Sequence, residues 1–215
     1  MKTHKYRDPI QKNTYRQGIY RLLVLVPHRE VRLAVQKWCA ELFNSGLSGA
    51  WSFPPVVPLA LLSRPVPASE LKQCAALLSA HNTSNQSKIK SSAPGYSAFP
   101  PEDSENEISG KMSVFGLALE LSIPGSLSSL IENKAAHWFS PPVLGAALVL
   151  KNADSEKNEI TEKICRIQPP QLLFRAAALA HMSYKPLSVY SVHAGSIYSY
   201  QWKIGPLYWL PRQRV

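Results

Sequence analysis

Two apolar runs, each entered through a phenylalanine and a pair of prolines, lie in corresponding halves of the chain. The first is Phe53-Pro-Pro-Val-Val-Pro-Leu-Ala-Leu-Leu62; the second is Phe139-Ser-Pro-Pro-Val-Leu-Gly-Ala-Ala-Leu-Val-Leu150. Proline fixes φ and gives up its backbone donor, so it is costly inside a helix or in the middle of a bonded ladder. A proline pair followed by an unbroken apolar run therefore marks the start of a short buried strand. The 18 prolines and 10 glycines punctuate the rest of the chain and predict many short elements joined by turns, an α+β protein rather than a helical bundle.

Periodicity places the other elements. Residues 20–26 form a continuous apolar run ending at Pro27, read as a buried strand. Val31, Val35, Trp38 and Leu42 then recur at helical spacing, which predicts a helix over 28–43 closed by Gly46 and Gly49. A strand over 56–62 and a helix over 68–80 follow, the latter capped by Ser69 with Leu71, Cys74, Ala75 and Leu78 on its apolar face. Residues 81–110 are rich in Ser, Asn, Pro and acids, lack an apolar period, and read as a mobile insertion. The second half offers a strand over 111–122, with Phe115, Leu117, Leu119 and Leu121 on one face, and then a helix over 125–136. A strand over 144–150, a charged helix over 156–166 and strands over 172–182, 187–192, 197–204 and 207–210 complete the pattern. In the penultimate strand Tyr198, Tyr200, Trp202 and Ile204 alternate with Ser199, Gln201 and Lys203, as in a half-buried antiparallel strand. The organisation expected is a basic flexible arm over 1–18, one bilobal domain over 19–211 containing the insertion, and a basic tail over 212–215.

Composition bounds the function. An apolar share of 45% supplies a core, and a charged share of 18% excludes a disordered polyelectrolyte. The net charge of +10 favours polyanions, although solvating charge on a protein with no nucleic-acid role is the plainer account. Arg7, Lys12 and Arg16 near the start, interleaved with Tyr6 and Tyr15, and Arg212 and Arg214 at the end, are the candidate nucleic-acid contacts. Cys39, Cys74 and Cys165 form no C-x-x-C pair, so neither a zinc site nor a disulfide framework is expected, and a reducing cytoplasmic setting fits. No stretch is long enough to span a membrane. No phosphate loop, nucleophile elbow, metal-ligand spacing or haem, flavin or nicotinamide signature is present, so no cofactor and no metal are expected.

The two proline-led strands, with the flanking element order, resemble the surroundings of the His-x-Thr strands in the 2H phosphoesterases, the superfamily of 2′-5′ RNA ligases and cyclic phosphodiesterases. The resemblance spans roughly residues 20–210 and takes in Phe174-Arg-Ala-Ala-Ala-Leu-Ala and the closing Tyr200-x-Trp202 strand. It implies two pseudo-symmetric lobes, each an antiparallel sheet backed by helices, with one motif strand per lobe facing a central cleft between 56–59 and 142–145. It also implies that Val56 and Pro58 stand at the first His and Thr positions, and Pro142 and Leu144 at the second. No ionisable group occupies any of the four. The acid–base pair that would contribute about 10²–10⁴-fold per group is missing, so a degenerate, non-catalytic member is the first expectation. Ser63 and Arg64 after the first strand, Lys151 after the second, and His137 just ahead of it are the candidate anion contacts. The expected ligand is RNA, a nucleotide or a protein. An active phosphoesterase with relocated groups and an unrelated α+β interaction module are the alternatives.

Overall fold

The computed structural model of the 215-residue chain describes residues 19–47, 50, 53–84, 91–98, 112–150, 167–170, 177–192 and 195–210. They build two antiparallel sheets with helices, an α+β fold. The larger sheet contains β1 (Tyr20–Pro27), β2 (Val57–Leu62), β5 (Ala135–Trp138), β7 (Ala177–Val192), β8 (Gly195–Ile204) and β9 (Tyr208–Trp209). Its strand order is β5-β2-β1-β7-β8, with β9 continuing the β8 edge beside β7. The smaller sheet runs β3 (Ser91–Ala98), β4 (Met112–Leu119) and β6 (Val143–Leu150) in the order β3-β4-β6.

β1 reads as an unbroken apolar run because both of its faces are covered. Leu23 and Leu25 enter a core shared with the helices, while Leu22, Val24 and Val26 enter a second core. The first core receives α1 (Arg29–Asn44) through Val31, Val35, Trp38, Cys39 and Leu42. There α1 docks on the smaller sheet: Cys39 Sγ donates to the Ala146 carbonyl at 3.5 Å, and the Trp38 ring lies 5.6 Å from that of Phe115. α1 ends in a Schellman turn. The Leu47 N–H bonds the Leu42 carbonyl and the Gly46 N–H bonds that of Phe43, with Gly46 at φ 101° and both leucines buried. α2 (Ala68–Ser84) joins the same core through Leu71, Cys74, Ala75 and Leu78.

Three elements differ from the sequence reading. The helix expected over 125–136 stops as α3 (Gly125–Leu130), and the chain turns back so that Ala135–Trp138 becomes β5 on the edge of β2. Cross-strand pairing with Ala60–Leu62 outweighs helical propensity there. Part of the segment read as an insertion is regular: α2 extends to Ser84, and Ser91–Ala98 is β3, paired to β4. The remainder, 85–90 and 99–110, lies outside the described residues. The two strands expected over 172–182 and 187–192 are one, β7, which runs through Pro186. Proline is tolerated because β1 pairs with β7 only as far as Tyr184, and because the register against β8 slips between Pro186 and Ser188. Pro58 is accommodated inside β2 by a similar slip in the β1 register. The basic arm over 1–18, the helix expected over 156–166 and the tail over 212–215 lie outside the described residues.

Candidate functional site

The two proline-led strands meet. The Gly145 N–H at the start of β6 donates to the Val56 carbonyl just before β2 at 2.9 Å, and Ala50 forms an isolated bridge with Ala147. The segment leading into β2 thus runs beside β6 and joins the two sheets. Beyond it β2 changes neighbour: the Phe139 N–H donates to the Leu59 carbonyl at 3.0 Å, and β5 takes over. The contact with β6 is close because residue 145 is glycine. A Cβ there would lie 2.2 Å from the Phe53 ring and 3.2 Å from the Pro54 carbonyl oxygen.

Where the resemblance implies a cleft, this junction is packed. Val56 is 1% exposed and belongs to the second core, with Phe53, Phe139, Val143, Val114, Ala180, Met182 and Tyr184. That core draws on both sheets and on the joining segment, so it fills the space between their facing surfaces. Pro58 is buried. Leu144 is also fully buried, but in the first core, opposite Leu117. Side chains alternate across a strand. The β6 residue that shares a core with Val56 is therefore Val143, while Leu144 faces the other core. Pro142 is half-buried, and its carbonyl accepts the Leu119 N–H at 3.0 Å. No proton donor or acceptor side chain stands at any of these positions.

Of the candidate anion contacts, Ser63, Arg64 and His137 are among the described residues. Ser63 is buried, and both its N–H and its Oγ donate to the Lys134 carbonyl, at 2.8 and 3.1 Å, so its hydroxyl proton is engaged. Arg64 is exposed immediately after it. His137 is half-buried on β5 opposite Leu61, its ring edge-on to Phe139 at 5.6 Å. Lys151, Arg7, Lys12, Arg16, Arg212 and Arg214 lie outside the described residues. Lys134 itself is ion-paired with Glu70. That carboxylate also bears on Cys74, whose thiol is pushed up to about 11, chiefly by burial and then by Glu70, which leaves it protonated and unreactive.

Sequence reading missed a cluster that register assembles on the other face of the large sheet. Arg21 on β1 pairs with Ser183 on β7, which pairs with Lys203 on β8, so the three form a row across adjacent strands. One step along, His181 accepts the Val66 N–H at its Nε2, at 3.2 Å, two residues after Arg64. Burial first, and the Arg21 guanidinium second, hold His181 below its ordinary value of 6.5, which matches an unprotonated Nε2 acting as acceptor. These residues are some 160 positions apart in the chain, and only the β1–β7 pairing brings them together. A groove of about 540 Å³ between α2 and α3, lined by Gln73, Ala76, Leu77, Ser126, Ser129 and Leu130, holds no ionisable group. Among the described residues, no three His, Cys, Asp or Glu are placed to hold a metal, and no helix is long and apolar enough to cross a membrane.

Neither a family model, nor a curated protein, nor a solved structure matches this chain.

Proposed function

We propose that this chain is a 2H-phosphoesterase-like protein in which the acid–base pair is gone and a binding role, toward RNA or a nucleotide, remains. One observation carries the reading: the segment leading into the first proline-led strand runs beside the second, joined through Gly145 and Val56, and the residues packed there are apolar. A buried valine cannot move a proton, so positioning and electrostatics are all that such a site could supply. The net charge of +10 supports a polyanionic ligand over a neutral one.

An unrelated α+β interaction module, with a protein as partner, is the second reading. It is favoured by the division of Val56 and Leu144 between different cores, which the 2H arrangement does not require.

The test is an incubation of the full chain with 2′,3′-cyclic nucleotides and with RNA ending in a 2′,3′-cyclic phosphate. No turnover is expected. Robust turnover that disappears in His137→Ala would establish instead an active enzyme with relocated groups. Parallel titration with RNA and nucleotides then separates the first reading from the second: the module reading gains if no nucleic acid or nucleotide binds at low salt.

A further inference from the structure

We propose that the outer edge of the large sheet, formed by β8 and β9, is a platform for single-stranded nucleic acid, with Trp202 and Trp209 as base-stacking faces and Lys203 as a phosphate contact. This takes up the ligand class of the reading above and moves the binding site from the packed junction to an open edge.

Three observations meet there. First, Trp202 is 48% exposed and Trp209 53%, and Leu207 between them is 40% exposed, three of the five large apolar side chains that stand out among the described residues. Second, register puts both indoles on one face. Trp202 lies opposite Tyr184 and Trp209 opposite Ala178; these two β7 residues are six apart on a stretch of unbroken register, so they share the strand face that Tyr184 turns to the second core. Six residues of strand separate them, roughly 20 Å at the usual rise, a span for a short run of nucleotides. Ile204 packs between the tryptophans against that core and holds β8 in place. Third, the charge is one-sided. From Lys163 to the end the sequence holds seven Lys and Arg and not one Asp or Glu. Lys203 leaves β8 on the pleat face opposite Trp202, in the row with Ser183 and Arg21. A polynucleotide laid along this edge meets aromatic faces on one side and Lys203 on the other.

The same charge argues against the other occupants an open edge invites. A second copy pairing through β8 would set an acid-free cationic segment against itself, and a lysine on an edge strand is a common device against such pairing. An aromatic ring accepts any base, so sequence preference is weak.

The experiment titrates the full chain into a labelled oligouridylate of about 12 nucleotides and follows anisotropy at salt between about 50 and 200 mM. Trp202→Ala and Trp209→Ala are each expected to weaken binding about tenfold. Trp202→Phe and Trp209→Phe, which keep a ring and spare the fold, should restore most of it. Lys203→Gln should lower the salt slope by about one. The inference is overturned if the double alanine variant binds as well as the parent, or if a duplex of the same length binds equally well. It is overturned also if sedimentation shows a dimer that Trp202→Ala dissociates, which would make the edge a self-interface. No binding at the lowest salt overturns it too. The non-catalytic reading is decided separately, by the cyclic-phosphate assay, so either result can fail alone.

Discussion

His181 shows how one residue inherits its chemistry from the strands around it. It sits on β7 with Arg21 close by on β1, and its Nε2 is tied to the Val66 N–H. Its folded value is depressed, so the unfolded chain takes up a proton at pH values where the folded chain still resists. The unfolded state then binds more protons, and stability falls as pH drops through the ordinary value of 6.5. The fall ends once the folded form is protonated. In unfolding experiments between about pH 8 and about pH 5, the parent should lose stability more steeply than His181→Gln. Identical slopes would mean that the imidazole is protonated equally easily in both states. None of this could be seen in the sequence, where His181 is one of six histidines on an apolar run. That Val56, Pro58 and Pro142 carry no ionisable group was legible there, because a residue's type needs no structure to reveal it.

At the scale of elements, the β4–β6 pair depends on glycine. A Cβ on Gly116 would fall 1.8 Å from the Leu144 carbonyl oxygen and 3.0 Å from Val143 Cγ1. The clash is with backbone, which cannot rotate away, so Gly116→Ala must push the two strands apart. A loss of about 3 kcal/mol is expected, at the upper end of overpacking effects, read as a shift in the urea midpoint. A midpoint unchanged from the parent would show that the strands have room to move. Elements with a clear period, α1, α2 and β4, and the unbroken apolar runs β1 and β6 were legible as sequence. β5 was not, because Ala135-Ala-His-Trp has no strand signal of its own and becomes a strand by lying against β2. β3 was hidden by composition: its Ser-Ser-Ala-Pro-Gly-Tyr-Ser-Ala carries no alternation, and its partner β4 supplies the order. β7 was broken in two at Pro186 because the rule against proline in strands holds only where both edges are bonded.

The whole molecule is organised by long-range pairing. The large sheet takes β1 and β2 from the start of the chain, β5 from the middle and β7, β8 and β9 from the end. The smaller sheet is joined to it at the Gly145–Val56 bond, so neither sheet is the property of one half of the sequence. A fragment ending at residue 170 therefore keeps both proline-led strands yet should show no cooperative unfolding transition, as measured by circular dichroism against urea. A sharp transition in that fragment would mean that residues 1–170 fold without the last strands. The two-half pattern read from the sequence missed β3 and β5, and strand pairing joins the halves in a way that element order does not encode. β1 makes the point most fully, for its last residue, Pro27, waits for Ala177, 150 residues later. At about 5–20 residues per second, roughly eight to thirty seconds of translation pass while a strand apolar on both sides has no partner on one edge. During synthesis β1 thus stays an adhesive segment until β7 emerges to cover its open edge.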